Sequence, residues 1–149
     1  MAGVVALVAV LSGCGAVQID QEDVSEADRR ACTALVDDVP HRVSEQPRRE
    51  TEGSSLGAAW GDPAIVLTCG VGAPEDYDPT SPCTRVNGVD WFAPDDAVSD
   101  QGEDVVLTTI GRKPSVEVVV PAEYRPPNAA MVDLADVIKE HTEVVAPCE

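Results

Sequence analysis

Five cysteines carry most of the reactive chemistry in this chain, and the first stands apart from the rest. An unbroken apolar run from Val4 to Leu11 ends in Leu11-Ser12-Gly13-Cys14. Small residues at Ser12 and Gly13 fit the narrow subsites of a signal peptidase. Cys14 supplies the thiol that accepts diacylglycerol before cleavage leaves it as the new N-terminus. A run of about eight apolar residues is too short to cross a bilayer as a helix. The expectation is a lipoprotein signal peptide over residues 1–13, lipid on Cys14, and a domain held on the outer face of the cell membrane. Stable anchoring rests on the two acyl chains of the diacylglycerol, because one chain binds a membrane only marginally. Only Met1, Ala2 and Gly3 precede the apolar run, without the Lys or Arg that leaders carry, which fits a start codon lying upstream. Residues 14–24 read as a polar tether.

The other four cysteines, Cys32, Cys69, Cys83 and Cys148, form an even set in an oxidising compartment, which argues for two disulfides in one of three connectivities. Cys69 with Cys83 closes a Pro-rich loop, and Cys32 with Cys148 pins the tail to the first helix; that is the favoured pairing. A zinc site finds little support, since there is no C-x-x-C and the only histidines are His41 and His141.

Catalytic constellations are harder to find. Gly53-Ser54-Ser55 does not match the G-x-S-x-G elbow, and neither histidine lies in a strand-to-helix turn that would present it. Oxidised cysteines cannot act as thiolate nucleophiles. The acidic runs Glu75-Asp76-Tyr77-Asp78 and Asp95-Asp96 through Asp100 to Glu103-Asp104 offer oxygen ligands, but without the spacing of a calcium loop. They read as solvated loop acids. No catalytic residue, cofactor or metal ligand is therefore assigned. Trp60, Trp91 and Tyr124 are candidates for a sugar-facing surface, with burial the plainer reading of the two tryptophans. Arg112 and Lys113, at an expected hairpin tip, are candidates for contact with a partner or anionic headgroups.

Composition narrows the partners. The formal net charge is −17, from 27 acidic against 10 basic side chains, and no charged residue precedes Asp20. A polyanion would be repelled at long range, which excludes nucleic acid. Aromatics make up only 3% of the chain, so a core must be filled by Val, Leu, Ile and Ala.

The elements that would position these residues can be read from periodicity. Ser25 followed by Asp28 resembles a capping box, and Ala31, Cys32, Leu35, Val36 and Val39 recur at helical spacing up to Pro40. Residues 41–55 are polar and aperiodic, and read as an exposed loop. Ala64 to Cys69, Val105 to Ile110 and Ser115 to Val120 read as strands, the last with Val116, Val118 and Val120 on one face. Asn87-Gly88 predicts a two-residue hairpin across Arg85 to Trp91. Asn128 is expected to cap a helix bearing Met131, Leu134, Ala135 and Ile138. The sum is a single α+β domain over residues 25–149, with a mainly antiparallel sheet of about five strands, two helices packed on one face, and two disulfides.

Three segments in combination carry a resemblance. They are Trp60-Gly61-Asp62-Pro63 running into Ile65-Val66-Leu67-Thr68-Cys69-Gly70, then Val86 to Trp91, then Gly111-Arg112-Lys113-Pro114-Ser115-Val116-Glu117-Val118. With them the chain, from about Cys32 to Cys148, resembles the actinobacterial lipoprotein family known as domain of unknown function 3515. The resemblance implies a lipid-anchored or secreted envelope protein and brings no activity, cofactor or catalytic residue. The functional expectation is a noncatalytic module that binds an envelope protein or wall component. The alternatives are an enzyme acting on cell-wall glycan or peptide, and a ligand or calcium sensor using the acidic loops.

Overall fold

The computed structural model describes residues 15–21 and 23–148, so the expected leader and Cys14 lie outside the described residues. The chain opens with strand β1 (Val17–Ile19) and helix α1 (Glu26–Asp38). The Ser25 hydroxyl accepts from the Asp28 N–H at 3.1 Å and so caps α1, while the Asp28 carboxylate bonds back to the Ser25 hydroxyl at 2.8 Å rather than to its backbone N–H. Cys32, Leu35 and Val36 make the buried stripe of α1, and the chain turns extended at Val39 before Pro40.

Six short strands follow: β2 (Arg42–Val43), β3 (Gln46–Arg49), β4 (Thr51–Gly53), β5 (Gly57–Trp60), β6 (Ile65–Val71) and β7 (Thr84–Val86). Then come β8 (Val89–Phe92), helix α2 (Asp95–Ser99), β9 (Val105–Thr109), β10 (Arg112–Lys113) and β11 (Ser115–Val120). Helix α3 (Asn128–His141) and β12 (Glu143–Val144) complete the order. The principal sheet has eight strands in the order β2-β3-β5-β6-β11-β9-β8-β7, and every pairing in it is antiparallel. The mixed α+β architecture is as expected; the strand count is not. The predicted loop at 41–55 contains β2, β3 and β4. These lie toward the sheet's edge or off it, where polar side chains replace an alternating apolar pattern. Arg48 and Arg49 donate to the carbonyls of Val36 and Gly61, at 3.3 and 2.7 Å.

β6 and β11 form the centre, with Val116 opposite Cys69 and Val118 opposite Leu67. Val116, Val118 and Val120 alternate inward as predicted, and one continuous core joins them to α1 and α3. Both helices therefore cover the same face. The hairpin at β7–β8 turns through Asn87 and Gly88 with φ of 47° and 83°, the left-handed pair that a type I′ turn demands. Asn128 is the first residue of α3 rather than its cap, and Pro127 holds the cap position without a side-chain bond.

Two expectations fail for reasons of topology. The disulfides join Cys32 to Cys69 and Cys83 to Cys148, with Cα separations of 5.5 and 6.6 Å. Cys69 points to the covered face of β6, where α1 brings Cys32. Cys83 sits just before β7 at the sheet edge, four strand positions from β6, or roughly 19 Å at the usual spacing. The expected tether also fails over its middle. β1 pairs in parallel with β4, and Ile19 is buried against Gly57, where a Cβ would lie 2.6 Å from the Ile19 side chain. Arg49 and Gln21 tie the flanks, donating to the carbonyls of Gly15 and Gly70 at 3.0 and 2.8 Å. Among the described residues no helix is long and apolar enough to cross a membrane.

Candidate functional site

The residues singled out from the sequence scatter when placed in the fold. Arg112 does not stand at a free hairpin tip, because β12 returns to pair with β10. Its guanidinium is buried and donates to the Thr142 carbonyl and hydroxyl at 3.3 and 3.1 Å and to the Gly88 carbonyl at 3.1 Å. Nearby, buried Asp90 accepts two bonds from Arg85, at 2.5 and 2.9 Å, and one from the Cys148 N–H at 3.2 Å. The Arg85 hydrogen bond holds the Asp90 carboxyl below the usual range, opposed by burial and aided by the Cys148 N–H and the charges of Arg85 and Arg112. Burial lowers the Arg112 guanidinium, opposed by the Asp90 charge. This network fastens the C-terminal tail. Lys113 alone of the expected basic pair is exposed.

The tryptophans are also unavailable as a surface. Trp60 is fully buried and donates to the Pro40 carbonyl at 2.9 Å, while Trp91 is 1% exposed. Tyr124 is half-buried. Without flat exposed rings from the tryptophans, a stacked sugar platform loses its main support.

No nucleophile meets a base and an orienting group among the described residues. Ser54 uses its hydroxyl to accept from the Leu56 N–H at 3.2 Å, which closes a turn. His41 is exposed, and His141 lies 2.8 Å from the Asp38 carboxylate. Asp38, Glu140 and His141 bring ligand atoms within 4.8 Å of one another at the C-terminal ends of α1 and α3. Both carboxylates are solvent-exposed, and Asp38 already engages His141 in a direct hydrogen bond. The acidic runs serve the backbone: Asp78 accepts from the Thr80 N–H and hydroxyl and Asp100 from the Gly102 N–H, closing turns, while Asp104 accepts from the distant Ala122 N–H.

Glu117 stands on the sheet face away from the helices, opposite Thr108 and Thr68 on the flanking strands. Burial raises its carboxyl, and neither cross-strand neighbour is a second acid of the kind glycoside hydrolysis needs. A raised carboxyl destabilises the folded chain when ionised, and the effect disappears at a pH where both states are protonated. Glu117→Gln is accordingly expected to raise the melting temperature at pH 7, with the gain shrinking as the pH falls through the Glu117 titration toward 4. Thermal melts at the two pH values check it.

One cavity differs from the other hollows. It holds about 210 Å³ between β8, β9, the α2 segment and the start of α3, with walls that include Trp91, Ala93, Val98, Leu107, Arg125 and Met131. Two of its lining side chains carry buried donors without a hydrogen-bond partner among the described residues, the Trp91 indole Nε1–H and the Arg125 Nε–H. Arg125 spends its terminal nitrogens on the carbonyls of Glu103 and Ala97, at 3.4 and 2.8 Å, and makes no ion pair among the described residues. A buried donor without a partner costs about 1–3 kcal/mol, and both of these atoms are closed off from solvent, so that cost falls on the fold beside the cavity. A wider hollow of about 460 Å³ beside Tyr77 and Cys148 is lined by no such group. Sequence reasoning missed the cavity because Arg125-Pro126-Pro127 reads only as a lead-in to α3.

The family model described as "Protein of unknown function (DUF3515)" matches residues 1–146, which include all the segments that carried the resemblance. No curated protein and no solved structure matches the chain.

Proposed function

The chain belongs to the DUF3515 family, and from that premise we propose that it is a lipid-anchored, extracytoplasmic binding module of the actinobacterial cell envelope, without catalytic activity of its own. The observation that carries the binding half of this reading is the cavity between β8, β9, the α2 segment and the start of α3, whose mostly apolar walls are interrupted by Thr84, Gln101, Arg125 and Asn128. Such a cavity recognises a molecule through shape and a few placed polar groups. The described residues offer no activated nucleophile and no paired, shifted carboxylates beside it. The location half is supported by Leu11-Ser12-Gly13-Cys14 and by two disulfides that suit an oxidising compartment.

Fractionation and assay test the two halves together. The unaltered protein is expected in the membrane fraction, and Cys14→Ala is expected to move it out of that fraction. The purified chain is expected to leave peptidoglycan intact. A Cys14→Ala protein that stays membrane-bound would remove the anchor, and release of reducing sugar or free amino groups from the wall would remove the noncatalytic reading.

A further inference from the structure

We propose that the C-terminal ends of α1 and α3 form a site for a divalent metal ion of the zinc class, held by His141 Nε2 and one carboxylate oxygen each from Asp38 and Glu140. The site depends on neither the lipid anchor nor the cavity at α2, and so goes beyond the module reading. Ligand atoms of the three side chains already lie within 4.8 Å of one another, and Nε2 stands 2.8 Å from the Asp38 carboxylate. Zinc bonds of about 2.0–2.2 Å place tetrahedral ligands roughly 3.3 Å apart, so the ion enters with small movements of the two carboxylates. The imidazole is 14% exposed and fixes the point, whereas the Asp38 side chain is 60% exposed and free to adjust. A second observation is independent of this cluster. α1 ends in Asp37-Asp38 with no basic residue in its last turn, which sets two acids against the negative end of the helix dipole. The imidazole offsets that charge only in its protonated form. Glu140 and His141 close α3, so side chains from two negative helix ends meet here, and the nearby Lys139 is engaged by Asp136 at 2.9 Å. A cleft of about 400 Å³ beside the site is lined by Asp28, Glu140, His141 and Glu143 against one base, Lys113. Its acids and the net charge of −17 draw cations toward it, and it gives water access to the ion's fourth position. The imidazole selects zinc, copper or nickel over calcium and magnesium, which prefer oxygen ligands.

The chain contains two histidines, and the fold makes one the control for the other. His41 is exposed and stands outside the cluster. Zinc chloride is titrated into the untagged, chelator-stripped full chain carrying Cys14→Ser, which removes the one cysteine outside the two disulfides, and both imidazole rings are followed by nitrogen-15 NMR. The His141 ring is expected to shift to saturation with one zinc bound per chain while His41 stays in place, and calcium chloride is expected to move neither. Asp38→Asn and Glu140→Gln are each expected to weaken zinc binding at least roughly tenfold, since losing even an outer partner of a metal ligand costs that much. Both are isosteric changes at exposed positions, and thermal melts without metal check that the variants fold. At zinc about a hundredfold above its Kd, the unaltered site is expected to raise the melting temperature by about 6–10 °C, because the ion binds the folded chain alone. A His141 ring that ignores zinc, zinc that moves both rings alike, or an affinity unchanged in both carboxylate variants overturns the proposal. A calcium shift at His141 equal to that of zinc overturns the choice of metal and with it the imidazole's role as ligand.

Discussion

Replacing Cys32 and Cys69 together by alanine is expected to lower the melting temperature by about 10–18 °C, from the entropy of a released loop of this length and the size of the domain. The bond closes 37 residues of chain, and the chain-entropy model gives about 4 kcal/mol for such a loop. Both sulfurs lie in the core with no exposure, so the double substitution also leaves space that the layers must close over. Differential scanning calorimetry without reductant measures the shift. Peptide mapping of the unreduced protein checks its premise, and a peptide joining Cys69 to Cys83 would refute it.

Asp90→Ala is expected to cost about 2 kcal/mol at neutral pH, the size of losing charge-assisted hydrogen bonds to one carboxylate, with the ion pair itself discounted because Arg85 is 59% exposed and screened by solvent. The larger part of the loss is the pair of hydrogen bonds from Arg85, while Arg112 keeps its hydrogen bonds to Thr142 and Gly88 and loses only a weaker charge interaction. The Cys148 N–H also loses its acceptor, so the tail loosens at the end that the second disulfide holds. Asp90 is held below its ordinary value in the folded chain. Its contribution is thus complete above the unfolded carboxyl value of 3.8 and fades as the pH drops through the lower folded value. Urea unfolding of both proteins should therefore show a wide gap at pH 7 and a narrow one in strong acid. A gap that is constant with pH would mean that the carboxylate's charge contributes nothing.

Much of the fold was legible where burial imposes a period. α1, the Asn87-Gly88 hairpin, β6, β9, β11 and the stripe of α3 all announce themselves through alternation, helical spacing or a turn that only certain residues accept. β5 did not, because Gly57, Ala58 and Ala59 lack the branched side chains of a typical strand; small size is needed there, with Ile19 pressed on Gly57. The cysteine pairing was illegible for a different reason. It depends on β11, β9 and β8 lying between β6 and β7, an ordering set by contacts far apart in the chain. Arg112 reads as a surface residue until β12 folds back beside it, and Trp91 reads as ordinary core until its indole is found without a partner. Local chemistry was visible in the sequence; who faces whom was not.

The docking of β1 would set how far the domain could stand from a bilayer if lipid on Cys14 anchors it, as proposed. Val17 is already bonded to the Glu50 carbonyl, three residues after Cys14. Three extended residues reach about 10–11 Å, against roughly 35 Å for ten residues of free chain. With acyl chains on Cys14, the globule would ride almost against the headgroups, unable to sample the thickness of a wall. With that anchor in place, any molecule it captured would have to arrive at, or leave from, the lipid surface itself.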